Sequence, residues 1–191
     1  MKSSFLALSL LLAAGIAVAA PATYTIEPHH TYPSFEADHM GGMSVWRGKF
    51  RTSSGIVKLD TAEHSGEVGI TIDVGSIDFG YDKLNEHAKS ADMFDVAKYP
   101  TATYRGRFTK FTGDVPAEVD GELTLHGVTK PVTLIINSFK CNMHPILKKQ
   151  FCGADASASL NRDDFGVRYG KDYGFSMAVK LAIQVEAIKA D

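Results

Sequence analysis

Phe175-Ser176-Met177-Ala178-Val179-Lys180-Leu181-Ala182-Ile183-Gln184-Val185-Glu186 changes character at every step. Phe175, Met177, Val179, Leu181, Ile183 and Val185 place an apolar row on one side of an extended chain. Ser176, Ala178, Lys180, Ala182, Gln184 and Glu186 place small, polar or charged groups on the other. A two-residue period predicts a strand with one buried face. Val68, Ile70, Ile72 and Val74 repeat the pattern against Gly69, Thr71, Asp73 and Gly75. Shorter runs carry Phe35, Ala37 and His39; Trp46, Gly48 and Phe50; and Tyr104, Gly106 and Phe108. Leu123 and Leu125, then Val132, Leu134 and Ile136, then Ala156, Ala158 and Leu160 complete the set.

Turn signals separate these runs at Gly41-Gly42, Ser53-Ser54-Gly55, Thr112-Gly113-Asp114, Gly127 and Asn161-Arg162-Asp163-Asp164. Roughly seven to nine short strands at near-regular spacing predict an all-β barrel or sandwich. The exception is Asp82 to Ala97, rich in Lys, Leu, Glu and Ala. It predicts one short helix with Asp82 as N-cap, running into a loop around Phe94 and Pro100.

The N-terminus reads as an export signal. Lys2 precedes an apolar run from Phe5 to Val18, and Ala17-Val18-Ala19 offers a small-x-small cleavage site. The run is shorter than the about 20 residues that span a bilayer, and no second hydrophobic segment follows. The expectation is a signal peptide over 1–19 and one domain over 20–191, with no stable membrane span. Loss of Lys2 leaves 19 of the 20 basic residues against 22 acidic ones, a balance that argues against nucleic acid as a partner. Cys141 and Cys152, eleven positions apart, read in an oxidising compartment as a structural disulfide.

Recognisable catalytic chemistry is sparse. His29 and His30 are neighbours and would point to opposite faces of a strand, while His39, His87, His126 and His144 lie on different segments. No HExxH or closely spaced triad occurs, so no metal site is expected. There is no GxSxG elbow, bridging leaves no free thiol, and Gly41-Gly42 precedes no helix that would cradle phosphate. Nothing in the sequence requires an enzyme. The glycines in Trp46-Gly48-Phe50 and Tyr104-Gly106-Phe108 leave two readings open: space for a ligand beside the backbone, or a tapering packed core.

The ordered strings are more specific than the periods. Tyr24-Thr25-Ile26-Glu27-Pro28 opens the domain, followed by His30-Thr31, Phe35 and His39. Ser76-Ile77-Asp78 leads to His87-Ala88-Lys89-Ser90-Ala91-Asp92-Met93-Phe94-Asp95 and Tyr99-Pro100. Gly121-Glu122-Leu123-Thr124-Leu125-His126-Gly127-Val128-Thr129-Lys130-Pro131-Val132 is the most distinctive stretch, and Arg162-Asp163-Asp164-Phe165-Gly166 and Val185-Glu186-Ala187 close the chain. In this order they resemble the YceI-like family of bacterial periplasmic polyisoprenoid-binding proteins. One departure stands at the helix, where the family's Arg-Asp-x-His-Leu is Leu84-Asn85-Glu86-His87-Ala88 here; His87 itself matches.

The resemblance implies an extended lipocalin-like barrel of eight antiparallel strands in a Gram-negative periplasm. It implies an apolar lipid held inside, such as the isoprenoid tail of ubiquinone or a polyprenyl phosphate, with no separate cofactor. On that footing the glycines favour a cavity. The candidate lining residues are Phe35, Trp46, Phe50, Phe79 and Phe94, together with Tyr104, Phe108, Phe175 and Met177; His39 and His87 are candidates for the polar end. The disulfide would staple a hairpin across a loop from Asn142 to Phe151. The competing expectation is a structural or stress-related interaction protein whose barrel is a packed core. The oligomeric state is left open between a monomer and a homodimer.

Overall fold

The computed structural model describes residues 21–191, so the export signal expected over 1–19 lies outside the described residues. The chain enters through β1 (Ala22–Ile26), β2 (Tyr32–His39), β3 (Ser44–Phe50), β4 (Ser53–Asp60), β5 (Ser65–Asp73) and β6 (Ile77–Asp78). After the helix α1 (Asp82–Lys89) come β7 (Thr101–Thr112), β8 (Val115–Leu125), β9 (Val128–Met143), β10 (Gln150–Asn161) and β11 (Ala178–Lys189). All pairings are antiparallel, and β1, β4, β5, β7, β8, β9, β10 and β11 form a ring that closes where β11 meets β1.

The short segments reduce to a simple plan. β1 and β2 are halves of one bent strand: Ile26 pairs with Ala187 and Tyr32 with Gln184 on the same β11. Their partners β4 and β3 are likewise one strand, interrupted at Arg51 and Thr52, and β6 extends β5 beyond a 3₁₀ turn at Val74–Ser76. The result is an up-and-down barrel with the eight antiparallel strands that the family resemblance implies. At the break between β1 and β2, Thr31 Oγ1 donates to the Glu186 carbonyl and accepts from the Glu186 N–H, each at 3.1 Å. That exchange satisfies the Glu186 N–H, which the interruption would otherwise leave unpaired, while the Glu186 carbonyl also accepts from the Glu27 N–H at 2.9 Å.

The hairpin turns follow from residue type. His126 and Gly127 both have positive φ (51° and 75°) and connect Leu125 to its partner Val128, the two-residue geometry whose twist suits neighbouring strands. His126 Nδ1 lies 3.1 Å from the Phe165 carbonyl, which ties this turn to the 3₁₀ segment Arg162–Phe165. Phe165 is 1% exposed and packs with Tyr104, Val119 and Val132. At the other end, Tyr24, Ile26, Leu59, Cys152 and Ala187 form a second buried cluster. Cys141 and Cys152 are direct partners across β9 and β10, with Cα atoms 4.0 Å apart and their sulfurs bonded.

Several expectations are corrected. Ser53-Ser54-Gly55 is not a turn but the start of β4. Gly55 is needed there because a Cβ would lie 2.2 Å from the Gly69 carbonyl oxygen on the adjacent strand. Asp82 is not the N-cap of the helix: Tyr81 occupies that position, without a side-chain cap bond, and Asp82 sits in the first turn. β9 and β10 both continue past the disulfide, so the connection between them is residues 144–149 rather than Asn142 to Phe151. Phe175 and Met177 precede β11, which begins at Ala178. The burial alternation extends through them, but the ladder pairing does not.

Candidate functional site

Between the two buried clusters the inward rows of the strands leave the barrel interior unfilled. Val68, Ile70, Leu134, Ile136, Leu181 and Ile183 point inward yet remain only half-buried: all six line a cavity of about 480 Å³, even though the first four also touch the buried clusters. An eight-stranded ring leaves room for one small ligand when its interior is not filled, and this volume falls within the usual range for ligand sites. The cavity runs from Tyr24 and Phe139 near the disulfide to the end that carries α1 and the residues after β10.

Its mouth is walled by a continuous chain of rings. Phe175 meets His39 at 5.4 Å between centroids, His39 meets Trp46 at 5.7 Å, and Trp46 meets Phe79 at 6.2 Å. Phe79 stands edge-on to Phe35 at 5.5 Å, Phe35 lies 5.8 Å from Phe50, and Phe50 lies 6.0 Å from Phe94. Most of these contacts are edge-to-face, the arrangement in which the positive rim of one ring meets the negative face of the next. Residues from β2, β3, the segment after α1 and the approach to β11 thus form one apolar wall. His87 stands across from them on α1, against Tyr169 at 4.4 Å.

Tyr104 and Phe108 lie deeper. The Tyr104 hydroxyl reaches the Val132 carbonyl at 2.9 Å, and burial pushes its pKa well above the ordinary phenol value, with Asp120 adding to the shift. It remains a neutral donor with its bond made inside the sheet. Ten of the eleven residues expected at the site therefore line the cavity. Met177 does not: it is buried at the base of the loop that approaches β11, where its carbonyl accepts from the Arg162 N–H.

The inward glycines serve the rings directly. A Cβ at Gly48 would lie 2.6 Å from Phe35 Cζ and 2.9 Å from Phe79 Cε1; one at Gly121 would lie 2.6 Å from Tyr104 Cζ. Small residues thus offset large ones locally, as in a tapering core, while the rings they admit enclose an open cavity.

Polar groups on the wall concentrate at the mouth. Asp38 Oδ2 accepts from the N–H groups of Ser176 (2.8 Å) and Gly41 (3.0 Å), and Oδ1 from that of Gly42 (2.6 Å). These bonds, that from Ser176 foremost, hold its carboxyl below the usual carboxylate range. Arg162 donates from Nη1 to the Val167 carbonyl (2.9 Å) and from Nη2 to the Tyr169 carbonyl (2.7 Å). Burial pulls its guanidinium below the ordinary value, against the opposing influence of Asp163 and Asp38. Arg162, Asp38, Tyr169, Leu84, Met93 and Phe139 escaped the sequence reading. Three of them stood in quoted strings, Arg162 in Arg162-Asp163-Asp164-Phe165-Gly166, Met93 in the stretch from His87 to Asp95 and Leu84 in the helix string. Among the described residues no group of three or more His, Cys, Asp or Glu is placed to hold a metal ion, and no helix is long and apolar enough to cross a membrane.

Comparison with known proteins agrees with this architecture. Residues 24–187 match the YceI-like domain. Over 194 residues the chain is 34% identical to Protein YceI of Escherichia coli, covering 99% of each sequence. It is 34% identical over 197 residues to a UPF0312 protein of Pseudomonas putida, covering 99% of this chain and 98% of the other. Among solved structures, BcnA of Burkholderia cenocepacia superposes with a TM-score of 0.66 at 24% identity, over 82% of this chain and 95% of that one. A domain from Saccharophagus degradans, described as polyisoprenoid-binding, gives 0.63 at 17% identity, over 87% and 98%.

Proposed function

The chain belongs to the YceI-like family, and from that premise we propose that it is a periplasmic carrier that holds an isoprenoid lipid or quinone lengthwise in its barrel. The observation that carries this reading is the row of inward aliphatics left half-buried around an unfilled, elongated, apolar cavity. Such a surface is unfavourable in water and gains about 25 cal/mol for each Å² covered by an apolar ligand, less the cost of ordering the chain. A long tail would supply most of the affinity, and few polar contacts would be needed. The solved domain described as polyisoprenoid-binding shares the fold and supports the same ligand class. Export is supported by the reading of residues 1–19 and by the disulfide, which persists in oxidising compartments. The role is binding rather than catalysis.

A packed structural barrel is the competing reading, and the open interior weighs against it. Trp46, the single tryptophan, stands in the mouth wall and reports directly on occupancy. Protein stripped of lipid by organic extraction and titrated with a prenylated benzoquinone should show saturable quenching of Trp46 fluorescence at one ligand per chain. Fluorescence that does not respond to any prenyl lipid would reject the carrier reading.

A further inference from the structure

The cavity wall contains one cation whose charge the protein leaves uncompensated by direct contact. Arg162 contributes to the wall at the mouth, where β10 ends. A guanidinium carries five N–H donors. Two are used, on the Val167 and Tyr169 carbonyls of its own loop, and the others have no protein partner among the described residues. The two nearby carboxylates are engaged elsewhere. Asp163 pairs with Arg168 at 2.7 Å and with Lys171. Asp38 is held by the three N–H groups of Gly41, Gly42 and Ser176. Arg162 makes no salt bridge among the described residues, although a half-buried charge without a partner is costly.

The bland account is that Arg162 only pins its loop. Two carbonyl contacts do that, but they leave the remaining donors of a planar, fork-shaped cation at the mouth of a largely apolar cavity. Oxygen acceptors suit such donors, and bidentate contact with a phosphate is especially favourable. His87 and Tyr169 pack against each other on the wall beside it, and His39, next to Asp38, packs against Phe175 on the same wall. Tyr24 and Tyr104, further inside, have hydroxyl partners in the protein: Gln150 Oε1 and the Val132 carbonyl. The mouth is therefore where side-chain donors without a protein partner stand on the wall.

We infer that Arg162 is the head-group anchor of the cavity, and that the ligand carries an oxygen acceptor, a phosphate or a quinone carbonyl, at the end of its apolar chain. This rests on the carrier reading and names the ligand chemistry within it. The test compares three ligands with one tail: geranylgeraniol, geranylgeranyl phosphate and a benzoquinone bearing the same chain. Each is titrated into lipid-stripped wild-type protein, Arg162→Met and Arg168→Met; the last removes an equal charge from the same loop outside the cavity wall.

The wild type should bind the phosphate, the quinone or both more tightly than the alcohol. Arg162→Met should weaken the favoured ligand about tenfold or more, the usual scale for a hydrogen bond to a charged group. Its affinity for geranylgeraniol should change little, which also shows that the variant folds, and Arg168→Met should retain the wild-type preference. Loss on the phosphate alone identifies an anionic head, and loss on the quinone identifies a carbonyl. Equal weakening of all three ligands by Arg162→Met would reduce Arg162 to a loop fastener and overturn the proposal. So would a wild type that binds all three alike. A wild type that binds none would instead remove the carrier reading on which it rests.

Discussion

The ring of Phe35 lies over Gly48, where an added Cβ would come within 2.6 Å of Phe35 Cζ. The contact is with the far end of a side chain that borders open space, so Gly48→Ala can be accommodated by pushing Phe35 and Phe79 into the cavity. The variant should fold, at a cost of about 1–3 kcal/mol for overpacking, and bind a prenyl ligand more weakly. Gly55→Ala meets the Gly69 backbone instead, and should destabilise the barrel more than Gly48→Ala. Chemical denaturation of both variants, with a ligand titration of Gly48→Ala, checks the contrast.

Trp46→Ala separates a cavity wall from a packed core. Removal of a fully packed tryptophan costs roughly 3–5 kcal/mol. Trp46 is only half-buried and borders the cavity, so the loss of stability should fall below that range while ligand affinity drops markedly. Isothermal titration calorimetry replaces fluorescence here, since the variant has no tryptophan.

Replacing Cys141 and Cys152 together by alanine should lower stability by roughly 3 kcal/mol in the chain-entropy model for a loop of this size. The bridge joins β9 to β10 at the end opposite the aromatic mouth. Ligand affinity measured well below the lowered melting temperature should therefore change far less than stability. A collapse of binding at temperatures where the variant remains folded would contradict this separation.

Asp38 sets an acid limit on the mouth. Its carboxylate links the β2–β3 turn at Gly41 and Gly42 to Ser176 on the approach to β11, and these bonds depress its pKa. A depressed carboxyl contributes stability that is fully present above its unfolded value of about 3.9 and is lost as pH falls through the lower folded value. His39 beside it and Arg162 nearby are the other charged or titratable groups at this junction. The protection factors of the Gly41, Gly42 and Ser176 amides against hydrogen exchange, taken relative to the intrinsic rate at each pH, should hold as pH falls through about 4 and drop only below it. Asp38→Asn should accelerate the same exchange at neutral pH.

The legible part of this fold was the part written in side-chain alternation. Val68 to Ile72 and Val179 to Val185 declare their inward faces because each inward position must be apolar whether it packs or lines a cavity. For the same reason alternation cannot tell the two apart, and the inward glycines, which the pattern leaves open between ligand space and a tapering core, admit the rings of Phe35, Phe79 and Tyr104. Ser53-Ser54-Gly55 has turn composition, but the glycine there answers to a neighbouring strand far away in sequence. Met177 continues the apolar row outside the sheet, where burial no longer means facing the cavity. Arg162 acquires meaning only when the loop carbonyls and the rerouted carboxylates of Asp38 and Asp163 are seen together. No local pattern encodes that.

The central claim is that one apolar chain occupies the barrel. Native mass spectrometry of protein purified from a bacterial envelope without detergent tests it most directly. The spectrum should show each chain carrying a single extra mass, released by organic solvent and identified by fragmentation as a prenyl lipid or quinone. A chain at its bare polypeptide mass that also fails to take up added prenyl lipid would contradict the account.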